Sequence, residues 1–219
     1  MRPVALLSLL LASAYAQMTS PVPYCTQCDG SRPTFSNRVV SNTCPGTYRS
    51  LSSINFRNFR FLQFDQTGKP VDGFTLRNGH HELKEDLGYS ENDLVFTHPL
   101  GKSQSGESIL VLLSWFAAGG SSSQGRNAKV FTLSNNRLRI VQEIDWDTHF
   151  QADGSTETFD PKTNALVIHS AHYIPGDAHC CVSAMDVVTF HWDGTHFVQT
   201  GIATELSAYG RSEGKTLPH

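Results

Sequence analysis

Several features that would name a function at once are missing from this sequence. It has no run of Lys or Arg, and its 17 basic and 20 acidic residues leave a formal charge of only −3. That argues against a nucleic-acid groove or an anionic membrane surface, both of which need clustered positive charge. Charged residues make up 17% of the chain, too few for a disordered tail or a coiled coil. Beyond the first 16 residues no apolar stretch approaches the roughly 20 residues of a spanning helix. No Cys directly follows the N-terminal apolar run to carry a lipid anchor. Catalytic signatures are absent as well. Gly101-Lys102-Ser103-Gln104-Ser105-Gly106 matches neither the nucleophile elbow nor the phosphate loop, whose first Gly would fall at Phe96. It reads as a turn, and no set of nucleophile, base and orienting residue stands out elsewhere.

Residues 1–16 read as a secretory signal. Arg2 is its charged start, Val4 to Ala12 its apolar run, and Ala14-Tyr15-Ala16 a small-x-small cleavage site before Gln17. The mature chain is therefore expected in a secreted or periplasmic location. Its length is enough to bury roughly 70% of the unfolded surface. All five cysteines, Cys25, Cys28, Cys44, Cys180 and Cys181, lie beyond the cleavage site, and in an oxidising compartment disulfides are the default. An odd count leaves one thiol over, with the connectivity open.

Residues 17–50 are rich in Ser, Thr, Pro, Gly and Asn and read as an irregular arm pinned by its cysteines. Residues 51–219 read as one β-rich domain. Phe59 to Phe64 and Val71 to Leu76 flank Asp65-Gln66-Thr67-Gly68 as a hairpin. A short charged helix is expected around Glu82 to Leu87, ended by Gly88. Ile109 to Phe116 is a continuous apolar run suited to a strand buried on both faces. Two further hairpins turn at Asn135-Asn136 and Asp193-Gly194, residues that tolerate the positive φ of tight turns.

Ile109 to Ser114 aligns without a gap on Ala165 to Ser170, and each segment precedes a loop and a hairpin. This repeat predicts a mainly β fold, an antiparallel meander of strand-loop-hairpin units forming a sandwich or partial barrel, with at most one or two short helices. The Phe59 to Leu76 hairpin is a candidate degenerate third copy.

The densest patch of chemistry-bearing residues is His169-Ser170-Ala171-His172-Tyr173-Ile174-Pro175-Gly176-Asp177-Ala178-His179-Cys180-Cys181. His169, His172, His179, Cys180 and Cys181 are the ligand types of zinc or copper. Strand geometry speaks against a joint site, because residues three apart, such as His169 and His172, point to opposite faces. Disulfides are the alternative for Cys180 and Cys181. Adjacent cysteines bond each other only through a contorted ring, so separate partners in the N-terminal arm are favoured. Such bridges close loops of more than about 130 residues and contribute roughly 4–5 kcal/mol each in the chain-entropy model. Cys25-x-x-Cys28 has the spacing of a redox pair but not the strand-then-helix setting.

Asp145, Asp147, Asp153, Glu157 and Asp160 form an acidic stretch whose spacing fails as a calcium loop, since His149 stands at a ligand position. Seven of the ten His lie between 149 and 219, and they read as exposed β-face residues, as with His191 and His196 beside Asp193-Gly194.

From Asp177 to Gly194 (DAHCCVSAMDVVTFHWDG) the chain resembles poorly characterised exported bacterial proteins that carry an Asp before a Cys-Cys pair, a Ser two residues on, a strand and a Trp-Asp-Gly hairpin. The upstream strand, the Gly-rich loop Ala118 to Gly125 and its hairpin extend the likeness to about residues 93–200. Val182 replaces a frequent Pro, and Gly101 to Glu107 lacks the Asp of an integrin-repeat-like turn that would imply a cation site. The resemblance implies export and brings no established activity.

The resulting expectation is an exported, disulfide-stabilised β domain that binds an extracellular or periplasmic ligand or protein, or serves structurally, without catalysis or cofactor. Its oligomeric state is open. The alternatives are a metal-binding protein using the 169–181 patch and an exported hydrolase with His169 and Asp177 as general-base candidates.

Overall fold

A strand covered on both faces needs apolar side chains at successive rather than alternate positions, and Ile109 to Leu113 supply them. In the computed structural model, which describes residues 35–65, 67–85, 88–103, 105–119, 121–148, 157–177 and 182–217, this run lies in strand β6 (Gly106–Gly119). On one side of it come β5 (Gly88–Ser103) and β4 (His80–Glu85). On the other come β7 (Ser121–Ser134), β8 (Arg137–Asp147) and β1 (Phe35–Thr43), completing an antiparallel sheet of six. A second antiparallel sheet holds β9 (Glu157–Asp160), β10 (Ala165–His172), β11 (Ala184–Trp192) and β12 (Phe197–Leu206). A separate hairpin pairs β2 (Arg60–Phe64) with β3 (Pro70–Thr75). The protein is thus mainly β and built of antiparallel hairpins. Among the described residues, no helix is long and apolar enough to cross a membrane.

The six-stranded sheet is the middle layer. Leu110 and Leu112 point to one face and meet Leu166, Ile168, Val188 and Phe190 of the second sheet. Ile109, Val111 and Leu113 point to the other and meet Phe56, Phe59, Phe61, Phe74 and Leu76, from the β2–β3 hairpin and the turns beside it. The internal repeat has a structural counterpart: β6-β7-β8 and β10-β11-β12 are both three-stranded meanders, and the aligned pairs Leu110/Leu166 and Leu112/Ile168 share one core. The candidate third copy, β2–β3, stands apart as its own two-stranded sheet on the opposite face.

The expected turns form by the expected chemistry. Asn135 and Asn136 adopt φ of 51° and 60° between β7 and β8, a conformation Asn tolerates. The Asp193 carboxylate accepts from the backbone N–H of Thr195 and His196, and Asp65 does the same for Thr67 and Lys69.

Three local expectations are corrected. Phe35–Thr43, placed within the irregular arm of 17–50, is strand β1 and pairs with β8. As an edge strand it buries only Val40, so its sequence shows little alternation. The helix expected around Glu82 to Leu87 is strand β4, whose pairing with β5 overrides the helical preference of Glu, Leu and Lys. The Gly-rich segment Ala118 to Gly125 is no loop; β6 and β7 run on as a ribbon paired to Gly119 and Ser121. A five-residue helix, α1 (Ala208–Ser212), was not foreseen, and it is capped by Ser207, whose hydroxyl accepts from Gly210 N–H and donates to the Val182 carbonyl.

Candidate functional site

Two-residue periodicity would carry Leu138 and Ile140 of β8, both in the Phe56–Phe61 core, to Gln142 and Ile144 on the same face. A bulge intervenes, because Val130 and Phe131 of β7 oppose Gln142 and Ile140, which skips Val141. The bulge reverses the alternation. Ile144 and Trp146 turn to the second sheet, while Glu143 and Asp145 turn toward the β2–β3 hairpin. There they line a cleft of about 340 Å³ between that hairpin and the six-stranded sheet.

The register sets the cleft floor as two polar rows. Arg38 on β1 lies opposite Glu143 on β8, which lies opposite Lys129 on β7. Asp145 pairs with Asn127 in the adjacent row. Lys129 and Glu143 are 1% and 2% exposed, so both charges are out of water and must be paired. Lys129 Nζ donates to Glu143 Oε2, and Arg38 Nη2 donates to Oε1 at 2.5 Å. The ammonium also stands 5.8 Å from the Phe64 ring centroid, within reach of a cation–π contact.

Trp115 reaches this floor because of Gly125. The two residues are cross-strand neighbours, and a Cβ on Gly125 would come within 2.5 Å of the indole ring. With that space open, Trp115 lies across β7 and its Nε1–H donates to Asp145 Oδ1 at 3.1 Å on the strand beyond. Burial, and then the negative charge of Glu143, raise the Asp145 carboxyl above the ordinary carboxylate range, against the hydrogen bonds from Trp115 and Asn127. Two buried atoms on the lining residues have no hydrogen-bond partner among the described residues: the acceptor Asn127 Oδ1 and the donor Arg38 Nε. Phe64, Phe74 and Val71 form the roof, and Ser90, Glu91 and Asn92 of β5 close one side.

The residues singled out from sequence are mostly elsewhere. His169 and His172 both sit on β10, a strand over the span expected, and therefore project from opposite faces. His172 Nδ1 is 3.1 Å from the Asp186 carboxylate, which also accepts from Thr204 Oγ1 at 2.7 Å. His179, Cys180 and Cys181 lie outside the described residues, as do Cys25 and Cys28. No group of three or more His, Cys, Asp or Glu among the described residues is placed to hold a metal ion.

Asp177 accepts from Ile174 N–H and Ser183 N–H at 3.0 Å each, and from the Ser183 hydroxyl. Its carboxylate thus ties Ile174 to Ser183, and as a general base it would first have to release these three donors. Cys44 is a free thiol in the core, pushed up to about 11 by burial.

The acidic stretch divides between strands. Asp145 enters the cleft, Glu157 pairs with Arg126 at 3.3 Å, and Asp160 caps the β9–β10 turn through Lys162 N–H and Thr163 Oγ1. Asp153 lies outside the described residues. Ser103 and Ser105 form the β5–β6 turn, with their hydroxyls 2.6 Å apart.

Arg38, Asn127, Lys129, Glu143 and Trp115 were not recognised from sequence as a site. Lys129, Glu143 and Asp145 alternate with the apolar Ala128, Val130, Ile144 and Trp146, the ordinary pattern of a strand with one solvent-facing side, so their neighbourhood carries no signal of burial. No known protein family, curated protein or solved structure matches the chain.

Proposed function

We propose that this chain is an exported β-domain that binds a small ligand without transforming it, and that the ligand seat is the cleft beneath the β2–β3 hairpin. The observation that carries the reading is the buried Lys129–Glu143 pair, joined by half-buried Arg38, set beside an apolar core. Apolar residues of similar volume would stabilise the sheet there as well or better, so folding alone gives no reason for the charges. Concave sites that join aromatic walls to a few fixed polar groups are the usual form of a ligand pocket. Export is the expectation carried by residues 1–16, with their charged start, apolar run and small-x-small site. The free, buried Cys44 accounts for the odd thiol and leaves Cys25, Cys28, Cys180 and Cys181 for two bridges.

Filling the cleft tests the seat. Gln63 is an exposed lining residue on β2, so Gln63→Trp blocks the space without disturbing the core. In a thermal-shift screen against small polar metabolites, a ligand present at about 100 times its Kd should raise the Tm by about 5–10 °C. The shift should vanish in Gln63→Trp. Hits that persist in the plugged variant, or a screen without hits, sink the proposal.

The disulfide arrangement has its own check. In the unreduced protein one thiol, Cys44, should alkylate only after unfolding, as burial and a raised pKa require. Rapid alkylation of any other cysteine in the native state would contradict it.

A further inference from the structure

Resting on the reading of the cleft as a ligand seat, we infer that its ligand is a neutral saccharide of one or two rings, held between the aromatic roof and the amide and carboxyl groups of the floor. Charge balance is the first argument. The cleft's cations, Arg38 and Lys129, are both engaged by Glu143, and Asp145 and Glu91 add further carboxyl groups. An anionic ligand would meet these carboxyls, and a cationic one would meet Arg38 and Lys129. An anion could gain a cation here only by disrupting a buried ion pair, which costs more than it returns, and a cation drawn to Glu91 or Asp145 would meet the like charge of Arg38 and Lys129. A ligand without net charge leaves the group intact.

The surfaces of cleft and ligand also pair. Half-buried Trp115 and Phe116 line the cleft beside the buried Phe64 and Phe74, and aromatic rings present flat apolar faces of negative quadrupole. A pyranose presents a flat patch of weakly positive C–H groups on one face and hydroxyls around its rim. The polar lining suits that rim. Gln63, Asn92 and Asn127 carry planar amides with both donors and acceptors.

The volume, about 340 Å³, stands at the low end of the roughly 300–1,000 Å³ of ligand pockets, which limits the ligand to a small one.

The test is calorimetric titration of the exported protein. The probes are D-glucose, D-galactose, D-mannose, N-acetyl-D-glucosamine and their β-1,4-linked disaccharides at up to about 10 mM, a range that detects millimolar affinities. Glucuronic acid and glucosamine serve as charged counterparts, and adenosine and uridine as neutral rings of another class. At least one neutral sugar should bind saturably, about tenfold or more tighter than its charged counterparts. Phe116→Ala, at the half-buried rim, should weaken it by about tenfold or more while the Tm stays within a few degrees. Gln63→Trp should abolish it. Equal or tighter binding of a charged counterpart or a nucleoside, itself lost in Gln63→Trp, overturns the saccharide inference and leaves the cleft as the seat. Absence of any probe binding that Gln63→Trp removes overturns both.

Discussion

The two faces of the six-stranded sheet are made by alternate residues of the same strands, yet they bury different chemistry. Toward the second sheet, Leu110, Leu112, Ala128, Val130, Ile144 and Trp146 close on Leu166, Ile168, Val188, Phe190 and Phe197. A buried polar side chain on that face, Gln142, is satisfied at both ends: its Nε2 donates to Asn37 Oδ1 and the Phe197 carbonyl, and its Oε1 accepts from Phe197 N–H. Toward the β2–β3 hairpin, the apolar core gives way within two residues to the Arg38–Glu143–Lys129 row. There Asn127, also an amide, keeps an oxygen unpaired among the described residues. The two amides differ in what folding alone supplies them, and the second face carries the cost of an unmatched buried acceptor.

The largest expected effect sharpens this contrast from the dry side. Phe190→Ala should lower the unfolding free energy by about 3–5 kcal/mol through the cavity it leaves. Denaturant titration measures the loss, and ligand affinity of the folded fraction should be unchanged. A simultaneous loss of affinity would mean that the two faces are coupled.

Next comes the charged row. Glu143→Gln leaves Lys129 buried without a counter-ion and should cost about 3 kcal/mol. The double variant Lys129→Met with Glu143→Leu should recover most of that stability while ligand binding is lost. Recovery of both would show that the charges serve neither folding nor binding.

The smallest effect is electrostatic. The folded protein holds the Asp145 proton to higher pH than the unfolded chain does, because of burial and the charge of Glu143. Asp145 therefore favours the folded state most below the ordinary carboxylate range, and that contribution is lost as pH rises through the raised value. Asp145→Asn removes the dependence and keeps the acceptor for Trp115. The variant should melt above the wild type at pH 7, and the two curves should converge below about pH 4. Asp65, Asp160 and Asp193, held below the ordinary range by hydrogen bonds in their turns, have the opposite pH dependence. They contribute equally to both proteins and cancel in the comparison. A wild type that melts higher at pH 7 would place the ionised carboxylate in a favourable site.

Much of the fold was legible because its determinants are local. The run Ile109 to Leu113, the Asn135-Asn136 and Asp193-Gly194 turns and the span of β10 follow from burial on two faces, tolerance of positive φ and strand length. β1 and β4 were missed because edge strands bury little, so their sequences carry weak alternation and borrow their structure from a neighbour. The cleft was missed for a different reason. Its members come from β1, β2, β3, β5, β6, β7 and β8, and no window of sequence contains them together. The eye goes instead to the dense patch at 169–181, where His169 and His172 turn out to diverge and Asp177 ties Ile174 to Ser183.

The sequence by itself determined the class of fold, the meander repeat and the places where the chain turns, since each depends on a few neighbouring residues and the period of a strand. Only the tertiary structure decided which face each charged residue would take. A single skipped residue, Val141, reverses the parity of β8 and carries Glu143 and Asp145 to the hairpin side. That bulge is specified by register against β7, an interaction between strands rather than a property of either one.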